Sequence, residues 1–189
     1  MEEKIIYFES GGRHNTEDTL KLAKERAEKR GIKNIILASI SGYSAEKALE
    51  IFKGTNVKFT VVGLRGPNFP NFPENLKLKL EQLGHNLVFA QDVDYVFTDD
   101  VKKTLWRFGE GIKVCVEIVL IATDAGYIRQ GEEVIAVAGT GRLGYEKGGG
   151  VDTAIVMEAI KSREFLQLET IYGLKEKRRK IHEIICKPR

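Results

Sequence analysis

A chain of 189 residues can bury one substantial core and is too short for two comfortable ones, so we expect a single domain over residues 1–189. With 42% hydrophobic and 30% charged residues it has the composition of a globular protein, and a net charge of +3 gives no general attraction to nucleic acid. The longest apolar stretch, Val114 to Ala122, is broken by Glu117 and falls short of the roughly 18 residues a membrane span requires. The charged start Met1-Glu2-Glu3-Lys4 has no signal-peptide character, and Cys115 and Cys186 stand far apart in apolar surroundings without metal-ligand spacing. A cytoplasmic protein with two buried, reduced thiols is the expectation, with neither nucleic acid nor membrane as partner. The basic run Lys175 to Lys180 reads as a solvated face.

Along the chain, Ile5 to Phe8 is a continuous apolar run, expected as a strand buried on both faces. After Gly11 and Gly12, Asn15 or Thr16 is placed to cap a helix whose stripe includes Leu20, Ala23 and Ala27 and which Gly31 stops. A second strand follows from Asn34 to Ile40, then a helix over Ala45 to Lys53, and a third strand from Lys58 to Leu64. Three prolines between Arg65 and Pro73 rule out regular structure there. A helix from Glu74 to Leu83 and a strand from Asn86 to Gln91 complete a βα alternation that predicts a mostly parallel sheet between helices.

The pattern then becomes helical, with one helix over Val101 to Phe108 and a longer one over Ile112 to Ala125. The second is apolar on nearly every side, which places it deep in the core or against another copy of the chain. Glu117 is its odd residue: a buried carboxylate needs hydrogen bonds or a positive partner, and the simplest reading is an acid reaching the surface or capping a neighbouring loop. Strands are expected over Glu132 to Ala138 and Thr153 to Ala159, helix and loop from about Glu164 to Lys180, and a final edge strand over Ile181 to Cys186.

Three junctions between elements carry the chemistry. In Ala38-Ser39-Ile40-Ser41-Gly42-Tyr43-Ser44 a strand gives way to a helix whose first N–H groups lack partners and whose dipole favours an anion. The hydroxyls of Ser39, Ser41 and Ser44 are available to phosphate oxygens, and Gly42 lets the backbone come close. Ser10-Gly11-Gly12-Arg13-His14-Asn15-Thr16 has the same design. The loop after Ala138 fits GxGxxG at Gly139, Gly141 and Gly144, but it runs through three more glycines into a strand rather than a helix, so a dinucleotide fingerprint is rejected. Its N–H groups, Thr140 and Arg142 remain able to wrap a phosphate or ring edge, and the segment Gly139 to Gly150 is expected to close over a ligand. In an open α/β sheet these junctions, with Arg65 after the third strand, share one edge. No nucleophile elbow occurs and neither cysteine has an activating histidine nearby in sequence, so catalytic residues are not assigned.

The segment Leu37 to Ala45 resembles the Thr-Lys-Ser-Gly-Arg-Ser-Ala stretch of the carboxy-terminal α/β domain of pyruvate kinase. Ile128 to Gly139 is similar to that domain's basic-Gly-Asp-strand-Gly stretch, and Gly150-Val151-Asp152-Thr153-Ala154 to its closing turn. The whole chain resembles stand-alone archaeal proteins of this type. The resemblance implies a three-layer α/β sandwich, mostly parallel with an antiparallel edge strand. It further implies subunit contacts, hence a homo-oligomer, and a phosphorylated effector at the Ser/Gly loop. The catalytic barrel of about 250 residues has no room here, so pyruvate kinase activity is not implied. Ile40 and Tyr43 stand where the family has basic residues, which weakens a bisphosphate reading, and Tyr43 offers a ring to stack on an aromatic ligand. These two positions point to a flavin or a nucleotide monophosphate, and the resemblance to the stand-alone group implies flavin mononucleotide (FMN) as cofactor. A flavin-dependent oxidoreductase and an oligomeric interaction module with a vestigial pocket remain the alternatives.

Overall fold

The computed structural model describes residues 3–141, 149–165 and 181–189. Its strands are β1 (Ile6–Phe8), β2 (Asn34–Ala38), β3 (Lys58–Gly63), β4 (Asn86–Phe89), β5 (Glu133–Ala138), β6 (Thr153–Glu158) and β7 (Ile181–Pro188). The helices are α1 (Thr16–Arg30), α2 (Tyr43–Ile51), α3 (Glu74–Gln82), α4 (Asp99–Trp106), α5 (Glu110–Asp124) and a single turn, α6 (Ser162–Phe165). One seven-stranded sheet runs in the order β1-β7-β6-β5-β2-β3-β4. The pairs β5–β2, β2–β3, β3–β4 and β1–β7 are parallel, while β6 is antiparallel to both β5 and β7.

Alternation along the strands builds two cores. Ile35 and Leu37 of β2 face one side, where they meet Leu20, Ala23 and Ala27 of α1, Ala45 and Ala48 of α2, and Leu76 and Leu80 of α3. Ile36, between them, faces the other side and joins Val62, Ala136 and Ile155 under α5. The result is a three-layer α/β sandwich. Val116 and Leu120 of α5 are fully buried, which accounts for a helix with so little polar face. Cys115 and Cys186 are both buried free thiols, and burial pushes Cys186 up to about 12.

Two strands depart from expectation. β1 is not buried on both faces: Ile5, Ile6 and Tyr7 are exposed, because β1 takes the outermost position with β7 as its single neighbour. Ile181–Pro188 in turn lies inside it, between β1 and β6. A short apolar run reads the same for a central strand and an edge strand, so only non-local pairing separates them. The expected helix-and-loop tail over residues 166–180 lies outside the described residues. Among the described residues no helix is long and apolar enough to cross a membrane.

Candidate functional site

β2 feeds α2 on one face of the sheet, whereas its parallel neighbour β5 is entered from α5 on the other. Chain connections that part in this way leave a crevice beyond the carboxyl ends of the strands. A cavity of about 320 Å³ occupies that place, within the size range of small-molecule sites. Its walls are the end of β2 with the start of α2 (Ala38 to Ser41, and Ser44), the end of β3 (Val62, Gly63, Leu64), one face of α5, and the glycines flanking the β5–β6 connection.

The α2 wall owes its shape to two residues. The N–H of Ser39 extends the ladder to the carbonyl of Val62 at 3.0 Å, and its hydroxyl, buried, accepts the N–H of Ala45 at 3.3 Å. Gly42 precedes the helix at φ 89°, and a side chain there would come within 2.8 Å of Leu76 Cδ2. Glycine is therefore required both by the backbone conformation and by the closeness of α3. Ser41 and the buried Ser44 line the cavity beside the helix start.

The opposite wall is ionised. Glu110, Lys113, Val114, Glu117, Ile118 and Ile121 share one helical face of α5 and all line the cavity. Lys113 Nζ donates to Glu117 Oε2 at 2.9 Å and stands 3.7 Å from Glu110. The Tyr95 hydroxyl donates to Glu117 Oε1 at 3.1 Å. Side chains of Lys113 and Glu117 are only 13% and 16% exposed, so Glu117 does not reach the surface as expected but sits in a hydrogen-bonded group against the cavity. Burial first, and then the Glu117 charge beside it, raise the Tyr95 phenol well above its ordinary value.

The sequence-predicted residues separate into distinct places. Ser39, Ser41, Ser44, Gly139 and Gly141 meet at the cavity. Gly11, Gly12, Asn15, Thr16 and Thr140 instead form a knot beside it around Asp152, which is fully buried. The Gly12 N–H and the Thr140 hydroxyl both donate to Asp152 Oδ2 at 2.8 Å, and Gly11 packs tightly against Thr140. Thr16 Oγ1 accepts the Val151 N–H at 3.1 Å, and the Asn15 amide holds the carbonyl of Ser10 at 2.7 Å rather than capping α1 with its side chain. Tyr43 is absent from the cavity wall, and its ring carries the Arg13 guanidinium at 3.5 Å. Arg65 is exposed, pairs with Asp92 and lies off the cavity. Arg142 lies outside the described residues.

Lys113, Tyr95, Glu110 and Asp152 were not singled out from sequence. For the α5 group a signal existed, since 110, 113, 114, 117, 118 and 121 recur at helical spacing on one face. Asp152 showed only as part of the closing turn.

A doubly covered, mostly parallel sheet with a cavity beyond its strand ends and a helix start in the wall defines an open-sheet α/β domain. The family model described as "Pyruvate kinase, alpha/beta domain" matches residues 17–157. The chain belongs to that family.

Proposed function

We propose that this domain binds a small phosphorylated ligand in the cavity, its phosphate at the start of α2, and that it lacks pyruvate kinase activity. The observation that carries this reading is the opening of the cavity onto Ser39, Ser41 and Ser44 where α2 begins, with the glycines of the β5–β6 connection beside them. Hydroxyls and the positive end of the helix dipole converge there, an arrangement that favours an anion.

FMN is the ligand we propose to test first. The family resemblance supports it, and so do the apolar surfaces of Val62, Leu64, Ile118 and Ile121, which offer a ring system contact away from the phosphate end. Engagement of the Tyr43 ring by Arg13 removes the stacking contact that the sequence suggested. Flavin absorbance in freshly purified protein, and calorimetric titration with FMN, test the reading. Ser41→Asp sets a carboxylate against the phosphate and should weaken FMN binding at least about tenfold. Unchanged affinity in that variant would put the phosphate elsewhere. Turnover of a reduced nicotinamide by the FMN-loaded protein would favour an oxidoreductase instead.

A further inference from the structure

The charges on the two walls of the cavity are unequal. Among its described lining residues the ionised side chains are Glu110, Lys113 and Glu117, all on α5, so that wall carries a net charge of about −1. Lys113 is committed to both acids, at 3.7 Å from Glu110 and 2.9 Å from Glu117. The α2 wall holds no ionised side chain and offers a helix start and hydroxyls. A ligand spanning the cavity thus meets a site for an anion at one end and a net anion at the other.

Glu117 has acceptor capacity left over. Each of its oxygens takes one hydrogen bond, from Tyr95 and from Lys113, and a carboxylate oxygen accepts about two. A buried ion pair contributes little stability relative to a packed apolar pair, so the fold alone gives weak reason for it amid Val114, Ile118 and Ile121.

Resting on the phosphate reading above, we infer that Glu117 makes this a site for monophosphates: ligands with one anionic end, against α2, and a neutral far end that gives an N–H or O–H to the Glu117 carboxylate. A second phosphate or a carboxylate at the far end is repelled by the α5 wall and finds Lys113 already paired. Selectivity then comes from a repulsive element as much as from an attractive one.

Calorimetric titration with glucose 6-phosphate and glucose 1,6-bisphosphate, which share a skeleton and differ by one phosphate, tests this in three proteins. The wild-type protein should bind the bisphosphate no more tightly than the monophosphate. Glu117→Gln, of the same shape without the charge, should move the ratio toward the bisphosphate by about tenfold. Tyr95→Phe keeps the charge and should leave the ratio where it was. Preference of the wild type for the bisphosphate, or an equal ratio in Glu117→Gln, overturns the inference while leaving the phosphate site standing. The wild-type ratio decides even where the Gln variant folds poorly. Heat from neither ester overturns the inference as well, and the phosphate reading falls with it only where FMN also gives none.

Discussion

Oδ2 of Asp152 accepts the backbone N–H of Gly12 at 2.8 Å, tying together segments 140 residues apart. The same oxygen takes the N–H and hydroxyl of Thr140, at 3.3 and 2.8 Å, and Oδ1 takes the Thr153 hydroxyl at 2.9 Å. One carboxylate therefore fixes the turn before α1, the end of β5 and the start of β6, all next to the cavity.

Asp152→Asn removes the charge that strengthens these bonds and leaves one accepting oxygen where there were two. Full burial prevents water from making good the loss, so the variant should lose about 2–3 kcal/mol of stability. Urea denaturation measures this, and a loss under about 0.5 kcal/mol would mean that the knot is held by backbone packing instead.

What was legible in the sequence follows from how far each signal reaches. The β2–α2 junction could be read because strand, Ser/Gly turn and helix start are contiguous, so the anion-favouring end of α2 needs no distant partner. The layer arrangement followed from alternating βα units, which bring their own handedness and order. The role of Glu117 is not legible in the sequence, since its environment depends on Tyr95, 22 residues earlier, folding back over α5. The Gly11–Thr16 junction carries the same local pattern as the β2–α2 junction, yet its polar groups are spent on Asp152 and Val151. Tyr43 likewise reads as a free ring until Arg13 is brought onto it. In each case a local pattern offers a capacity, and a long-range contact decides whether it is available to a ligand.

Gly111 shows a packing requirement that outweighs helix propensity. It lies in the first turn of α5, where β6 passes so closely that an added Cβ would fall 2.0 Å from Thr153 Oγ1. Alanine is favoured over glycine within helices by about 1 kcal/mol. Overpacking here costs more, because the Thr153 hydroxyl is bonded to Asp152 and cannot simply turn away. Gly111→Ala should therefore destabilise the protein by about 1–3 kcal/mol in urea denaturation. Thr153 Cβ would itself lie 2.5 Å from the added Cβ, so Thr153→Gly is the change that removes the clash, and combining the two should cost less than the sum of the single changes. Strict additivity would show that the two positions do not clash.

Arg26 of α1 forms an ion pair with Glu183 of β7 and reaches Glu3 at 3.2 Å. The Arg26 and Glu183 side chains are 12% and 10% exposed, so the pair is largely shielded from solvent. Arg26→Met strands most of the Glu183 charge, leaving it Arg30 at 3.7 Å, and should cost up to about 3 kcal/mol. Replacing both by Met should restore much of that loss, since an apolar pair avoids the desolvation of two charges. Thermal melts of the two variants make the comparison, and equal losses would assign the cost to packing around Arg26 rather than to the stranded charge.

His85 gives the fold a pH dependence of definite sign. Its Nδ1 accepts the N–H of Phe59 at 3.2 Å, and its ring meets that of Phe59 edge-on with centroids 5.2 Å apart. Burial, and after it the positive charge of Lys58, lower its pKa from the ordinary 6.5. The folded protein thus holds the ring neutral, with Nδ1 free to accept, at pH values where the unfolded chain has already taken up a proton. As pH falls through about 6.5 the unfolded state binds more protons than the folded state, so this residue's contribution is complete above that pH and is lost as pH falls toward the folded value. His85→Asn keeps an acceptor near the Phe59 N–H but does not titrate. Unfolding free energies from urea denaturation, taken between about pH 7.5 and pH 5, should fall more steeply with acid in the wild type than in this variant. Because the other titrating groups are common to both proteins, the difference between the two curves isolates His85. Parallel curves would show that His85 is as easily protonated in the folded protein as in the unfolded chain.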